Sequence, residues 1–348
     1  MTNAFVLMTA LPPTKGHIHL IEFAADLARQ AGGSTRVIVC TQPDEPYTYE
    51  RWFSIAKHFR YHEDVIVYQL YRPIEQNPET PGFWDMWVDI MHEFGFQAGD
   101  LCVTSEPYGK TMAALLDGHF MPYDPQRELY YTKATNIRYE PEKYFHDIAH
   151  TFQPFVRQTV TIFGAESTGK TTLSKELSYK MNGHWLFEWA RPYLENVENV
   201  ITPESMTDIW QGQAAIQRHG QRMLDKPWVI QDTDLFSTVG YWNFPHWQDT
   251  LGPVPDGLIK DAIDLKSDLY LITKSNIPFE KDPLRYKSDE GVREGSDDYW
   301  IGIAKKYDLN YMVLEYSNHQ DRMSEAMEFM GRHFDGVADK LEYDRMGY

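Results

Sequence analysis

Thr159-Val160-Thr161-Ile162-Phe163 runs directly into Gly164-Ala165-Glu166-Ser167-Thr168-Gly169-Lys170-Thr171, and a helical pattern follows from Thr172 to Lys180. The first five residues are apolar or β-branched and read as a buried strand. The next eight satisfy G-x-x-x-x-G-K-[ST] at every position. The spacing has a physical basis. Successive N–H groups of a tight loop converge on an anion, the helix that follows adds the positive end of its dipole, and glycines let the backbone approach closely. Gly164, Ser167, Thr168, Gly169, Lys170, Thr171 and Thr172 are therefore expected to hold the phosphates of ATP. Lys170 reaches the β- and γ-phosphates, and the Thr171 hydroxyl ligates Mg²⁺. A strand–loop–helix unit of this kind belongs to an α/β fold with a mostly parallel sheet.

Downstream, Trp228-Val229-Ile230-Gln231-Asp232-Thr233-Asp234 is an apolar strand ending in two carboxylates. An acidic residue at such a strand end holds Mg²⁺ in P-loop proteins, directly or through water, so Asp232 and Asp234 are candidate metal ligands. The same position suits a helix N-cap, and both readings stand at this point. Glu188, in Leu186-Phe187-Glu188-Trp189-Ala190-Arg191, is placed to accept the proton of a substrate hydroxyl, with Arg191 beside it for substrate contact. A surface ion pair is the plain alternative for these two. Arg285 lies in a loop of both charge signs, Pro278 to Gly295, where an arginine neutralising the transferring phosphoryl group would sit, as would any solvated arginine. Gly252 to Gly257 reads as a second surface loop.

Working back toward the N-terminus, strand and helix patterns alternate. Ala4–Met8, Arg36–Cys40, Val65–Leu70 and Leu101–Thr104 are the strands; His17–Arg29, Glu50–Arg60 and Phe83–Phe94 are the helices. Alternation of this kind predicts a parallel sheet covered on both faces. From Pro141 to Pro154 the chain is polar and aromatic with no strand pattern, and the alternation restarts at Thr159. The expected division is a first domain over residues 1–150 and a second over 156–348.

The bulk properties agree with a globular protein and narrow its partners. A length of 348 residues suits two cores better than one. Against 51 acidic side chains stand 33 basic ones, a net charge of −18. This opposes non-specific nucleic-acid binding, which needs a basic surface to displace counterions. Cys40 and Cys102 both lie in apolar runs and are expected to be buried free thiols. No stretch approaches the roughly 18 apolar residues of a membrane span, and a cytoplasmic location is expected.

The N-terminal half carries a second set of signals. After the first strand comes Leu11-Pro12-Pro13-Thr14-Lys15-Gly16-His17. Its Thr-x-Gly-His resembles the nucleotidyltransferase signature, which implies that Thr14, Gly16 and His17 meet ATP and that His17 stabilises the transition state; a solvated histidine capping a helix start is the plain alternative. Lys133-Ala134-Thr135-Asn136-Ile137-Arg138 resembles the second signature of that superfamily, which implies that Thr135 and Arg138 grip the β- and γ-phosphates. Thr104-Ser105-Glu106-Pro107-Tyr108 and the pair Trp84 and Trp87 add to the pattern. Together with the P-loop, these features resemble the NadR-type bifunctional nicotinamide-nucleotide adenylyltransferase and ribosylnicotinamide kinase, over roughly residues 4–335.

The resemblance implies a Rossmann-like nucleotidyltransferase domain followed by a P-loop kinase domain, with two reactions. The kinase half would phosphorylate nicotinamide riboside with ATP and Mg²⁺, Lys170, Asp232 and Glu188 being its catalytic residues, with the base open among Glu188, Asp232 and Asp234. The N-terminal half would adenylylate the resulting nicotinamide mononucleotide to NAD and pyrophosphate, Trp84 and Trp87 facing the cationic ring, an arrangement that π-faces favour. Ordinary helix-core aromatics are the alternative for the two tryptophans. Three departures stand out. Met8-Thr9-Ala10 replaces a usual Gly-x-Phe, Lys133 replaces Ser, and Asn136 replaces a common Lys. They leave two further readings open: a ribosylnicotinamide kinase with an impaired N-terminal nucleotide-binding domain, and a non-catalytic NAD- or ATP-sensing regulator. Some members carry an N-terminal helix-turn-helix; here the first strand begins close to Met1, so no DNA partner is expected. No membrane partner is expected either, and a homo-oligomer is allowed.

Overall fold

Five strands form the first sheet: β1 (Ala4–Met8), β2 (Thr35–Thr41), β3 (Val65–Tyr71), β4 (Leu101–Thr104) and β5 (His119–Pro122). Their order is β3-β2-β1-β4-β5, and every pairing is parallel. The pleat explains why β1 is apolar throughout. Ala4, Val6 and Met8 join one buried cluster with Ile18, Ile21 and Ala24 of the helix Lys15–Gln30. Phe5 faces the other cluster, with Trp87, Ile90 and Met91 of the helix Phe83–Glu93. A central strand covered on both faces loses the polar alternation of a half-exposed one.

The second sheet repeats this logic with β6 (Gln158–Gly164), β7 (Gly183–Leu186), β8 (Trp228–Asp232), β9 (Leu269–Thr273) and β10 (Tyr311–Leu314), in the parallel order β10-β9-β6-β8-β7. Val160 and Ile162 pack with Leu173 and Leu177 of the helix Lys170–Lys180. Phe163 lies on the opposite face with Phe236 and Trp300. In each sheet the chain leaves the first strand to one side and later returns to the other. The loops at the carboxyl ends of β1 and β6 therefore lie at reversal points, where open α/β sheets form their ligand crevices.

The computed structural model describes residues 1–197, 200–223, 225–277 and 296–341. It divides into two units, Met1–Val156 with Asp335–Tyr348, and Arg157–Phe334. This differs from the division expected from sequence at two places. Residues 151–156 join the first unit, because Phe152 and Val156 are buried in its core. The chain from Asp335 also belongs there and not to the second domain, since Val337 and Leu341, near the end of the helix His319–Leu341, are buried in the same cluster.

Strands read from sequence agree with β1, β2, β3, β4, β6 and β8 to within a residue or two. Missing from that reading are β5, β7 and β10, each four residues long and none fully buried along its length. The stretch Gly252 to Gly257 is only partly loop, as the helix Asp256–Asp264 has begun by Asp256. Pro278 to Gly295 lies outside the described residues. Both cysteines are buried thiols, and no helix among the described residues is long and apolar enough to cross a membrane.

Candidate functional site

In the second unit, the loop after β6 takes its shape from backbone positions that few residues tolerate. Gly164 has φ +131, and a Cβ there would lie 2.7 Å from the Thr273 carbonyl oxygen of β9. Ser167 and Gly169 are also left-handed, at φ +58 and +81, and Gly169 caps the helix Lys170–Lys180. Such turns direct backbone N–H groups into one concavity. The Thr168 hydroxyl donates to the Ala165 carbonyl at 2.8 Å and lies 2.7 Å from the Thr273 hydroxyl, tying the loop to β9. Lys170 Nζ donates to the carbonyls of Gly164 and Ala165.

Sequence reasoning missed Arg322, which lies on the helix His319–Leu341 and is 3% exposed. Its Nη1 donates to the Thr168 carbonyl at 2.8 Å, Nε to the Tyr316 carbonyl at 3.0 Å, and Nη2 to Asn276 Oδ1 at 2.6 Å. A buried guanidinium thus supports the loop and lines the same cavity. No local pattern announced it, because a single arginine on a polar helix has no distinguishing spacing.

The three carboxylates divide into different roles. Asp232, at the end of β8, is 2% exposed and accepts from the Thr171 hydroxyl, while its Oδ1 is buried with no hydrogen-bond partner. Burial raises its pKa, opposed by Thr171 and by the charges of Lys170 and Arg191. A hydroxyl and a buried, unsatisfied carboxylate oxygen are the hard donors that Mg²⁺ takes, so Thr171 and Asp232 fit the ion.

Asp234 does not join them, and here the metal reading gives way to the cap. Its Oδ1 accepts the N–H groups of Phe236 and Ser237 at 3.0 and 3.2 Å, capping the helix Leu235–Trp242, and its Oδ2 accepts the Tyr270 hydroxyl at 2.7 Å. Both oxygens are committed and the residue is 1% exposed. Burial pushes its carboxyl up to about 6.

Glu188 lines one cavity with Lys170, Thr171 and Arg191. Its pKa is pushed up to about 7, first by burial and then by the charge of Asp232, against the pull of Lys170 and Arg191. A carboxyl poised near neutrality is matched to accepting a proton. Arg191 lies 3.7 Å from Glu195 and is partly open to the cavity. Arg285 lies outside the described residues.

The cavity holds about 840 Å³ and extends from the phosphate loop past Glu188 to an aromatic wall of Tyr241, Phe244, Trp247 and Trp300. Three of these come from Tyr241-Trp242-Asn243-Phe244-Pro245-His246-Trp247. So dense an aromatic run was a signal available in the sequence. It was not read, because nothing local ties it to the loop some 75 residues earlier in the chain.

In the first unit, Thr14 caps the helix Lys15–Gln30. Its hydroxyl accepts the His17 N–H at 3.2 Å, and its own N–H donates to His17 Nδ1 at 3.0 Å. The reciprocal cap fixes the imidazole as a neutral ring with its proton on Nε2. Burial, and then the charge of Arg127, lower the His17 pKa to about 4. His17 is thus a directed N–H donor in this structure, not a cation. The fold leaves ordinary van der Waals room for a Cβ at Gly16, 3.5 Å from Thr14 Oγ1 and Tyr130 Cβ.

The two N-terminal signatures come together. Arg138 Nη1 donates to the Leu11 carbonyl at 2.8 Å, and its Nη2 to Thr135 Oγ1 at 3.2 Å. Thr135 itself is exposed, as are Lys133 and Lys15. Met8, where a glycine was expected, ends β1 and is buried in the core cluster. The Thr9 carbonyl accepts from Arg51, which forms a fully buried 2.6 Å ion pair with Glu45, a support that sequence reasoning missed. The tryptophans separate: Trp87 is 7% exposed and packed in the core, while Trp84 is only partly buried at its edge.

Comparison with known proteins follows the same division. Residues 159–322 match the family model of the AAA domain. Over 288 residues the chain is 23% identical to the trifunctional NAD biosynthesis/regulator protein NadR of Salmonella typhimurium, covering 80% of this chain and 68% of that one. A crystal structure of NadR protein in complex with NAD and AMP-PNP superposes with a TM-score of 0.65 at 20% identity, covering 100% of this chain and 99% of that one. Another, in complex with NR, gives 0.62 at 19% identity, covering 96% and 97%.

Proposed function

We propose that this chain, NadR-like in sequence and in fold, is a two-site enzyme of NAD biosynthesis that phosphorylates nicotinamide riboside and adenylylates the product. One observation carries the kinase half: a single cavity holds the phosphate loop, a carboxyl tuned to about 7 and a wall of aromatic rings. ATP phosphates would lie in the loop, Lys170 leaving the carbonyls it now bonds to meet them. The riboside would place its cationic ring against Tyr241, Phe244 or Trp247, where π-faces attract it. Its 5′-hydroxyl would then stand near Glu188, which takes the proton as the oxygen attacks the γ-phosphorus and ADP departs. Mg²⁺, held by Thr171 and Asp232, would neutralise charge on the phosphate oxygens.

In the first unit the mononucleotide phosphate would attack the α-phosphorus of ATP, and pyrophosphate would leave. His17 Nε2–H is a preset donor for the charge that develops on the phosphoryl oxygens, and catalysis of this kind needs positioning more than covalent chemistry. Trp84, at the core's edge, is the better placed of the two tryptophans to meet the nicotinamide.

The test is incubation with nicotinamide riboside, ATP and Mg²⁺, with mononucleotide and NAD followed by chromatography. Both products are expected. Mononucleotide without NAD would leave a kinase with a nucleotide-binding remnant; neither product would leave a non-catalytic sensor. Lys170→Ala should abolish the first step and spare NAD formation from supplied mononucleotide, and His17→Ala should do the reverse.

A further inference from the structure

Gln213 sits on the helix Pro203–Met223, is 3% exposed, and lines the kinase cavity. Its amide orientation is set by one strong contact: Oε1 accepts the Trp189 N–H at 2.9 Å. Trp189 immediately follows Glu188. The Nε2 group is left as a pure donor, buried with no hydrogen-bond partner. On the same cavity, Ser237 is 5% exposed and its Oγ is likewise buried and unpartnered. Much of the neighbouring wall is apolar, with Leu194, Met206 and Ile209. Burying polar groups without partners is disfavoured. Two on one cavity call for a ligand that completes them.

We propose that Gln213 is a specificity-determining residue of this cavity, its Nε2 donating to an oxygen of the nucleoside substrate, with Ser237 Oγ as a second polar contact. The inference rests on the reading of the cavity as a nucleoside-phosphorylating site. Because Oε1 is committed to Trp189, Gln213 offers only N–H, so the group it recognises is an acceptor: the carboxamide oxygen or a ribose hydroxyl oxygen. An amine or ring N–H in that place is rejected, since it would meet a donor and leave Nε2 unpaired. The same side chain links that recognition to the backbone next to Glu188.

The experiment is phosphoryl transfer by the full chain at saturating ATP, for wild type, Gln213→Glu and Gln213→Leu. The substrates are nicotinamide riboside, its analogue lacking the carboxamide, and its 2′-deoxy analogue. Both variants should raise the KM for nicotinamide riboside by roughly 5- to 150-fold and leave the KM for ATP unchanged. They should also erase the wild-type preference over one analogue, and that analogue identifies the oxygen. Gln213→Glu keeps an acceptor for the Trp189 N–H. A wild-type KM in Gln213→Glu beside a loss in Gln213→Leu would therefore reduce Gln213 to a backbone support and overturn the proposal. Full discrimination retained by both variants would overturn it as well. If the wild type phosphorylates a different nucleoside instead, only the riboside reading fails, and the same comparison on that nucleoside and its deoxy form decides Gln213. A wild type inert towards every nucleoside overturns both.

Discussion

Replacing Glu188 by Gln should make the protein worse as a kinase and more stable at pH 8, two effects with one cause. The carboxyl is pushed from its ordinary 4.5 up to about 7, so the folded state binds its proton more tightly than the unfolded state does. Between pH 4.5 and about 7 the folded chain holds the extra proton. Stability therefore falls as pH rises through that window, and the loss is complete above about pH 7. At 1.36 kcal/mol per pH unit, the displacement corresponds to about 3 kcal/mol of destabilisation by the charged form. Glutamine carries no charge at any of these pH values and removes the penalty. In nucleotide-free protein at pH 8, the second unit of Glu188→Gln should melt roughly 6–12 °C above wild type. The difference should shrink toward zero near pH 4.5. Calorimetry across that range, in chelator, measures it against the same state that the structure describes. In the same preparation, kcat for riboside phosphorylation should fall by about a hundredfold or more. A variant no more stable than wild type at pH 8, or an advantage that persists unchanged at pH 4.5, would refute the idea that a half-buried, poorly hydrated charge sets the cost. A kcat within a few fold of wild type would remove Glu188 from the role of base.

Three further outcomes follow from the site geometry. Asp234→Ala strips the N-cap of its helix and the partner of Tyr270. It should lower unfolding stability by about 1–3 kcal/mol while the Mg²⁺ concentration for half-activation stays put; Asp232→Asn should raise that concentration, and a shift in the Asp234 variant would return it to the metal. Trp87→Ala, from a packed core position, should destabilise by about 3–5 kcal/mol in urea unfolding. Trp84→Ala should leave stability nearly unchanged and raise the KM for mononucleotide in NAD formation, and the reverse pattern would exchange their roles. Arg322→Met removes the charge that holds the Thr168 carbonyl of the phosphate loop, and the KM for ATP should rise by about tenfold or more with that for the riboside unaffected; an equal rise in both would assign Arg322 to general folding.

Much of this molecule was legible in local sequence because its physics is local. A phosphate loop is a backbone conformation, and Gly164, Gly169 and Lys170 specify it within eight residues. Strands buried on both faces, such as β1 and β6, announce themselves as continuous apolar runs. The capping relation between Thr14 and His17 likewise spans one helical turn. Strands such as β5, β7 and β10 are short and only partly buried, and carry too little pattern to be read, whereas β4, equally short, is read because it is mostly buried.

What a carboxylate or an aromatic ring does depends on what the fold brings to it, and that only the tertiary structure decided. Asp232 and Asp234 are two residues apart and chemically identical. One keeps a free buried oxygen beside Thr171, while the other is consumed by a helix terminus and Tyr270. Trp84 and Trp87 are separated by one helical turn, yet one is packed in the core and the other lies at its edge. Arg322 reaches Thr168 across 154 residues, and Gln213 reaches Trp189 across 24. The sequence determined the phosphate-loop pattern, since that requires only a loop and a helix end. The division of labour among the surrounding side chains was decided by the fold, because burial, hydrogen-bond satisfaction and charge proximity exist only once distant segments have packed.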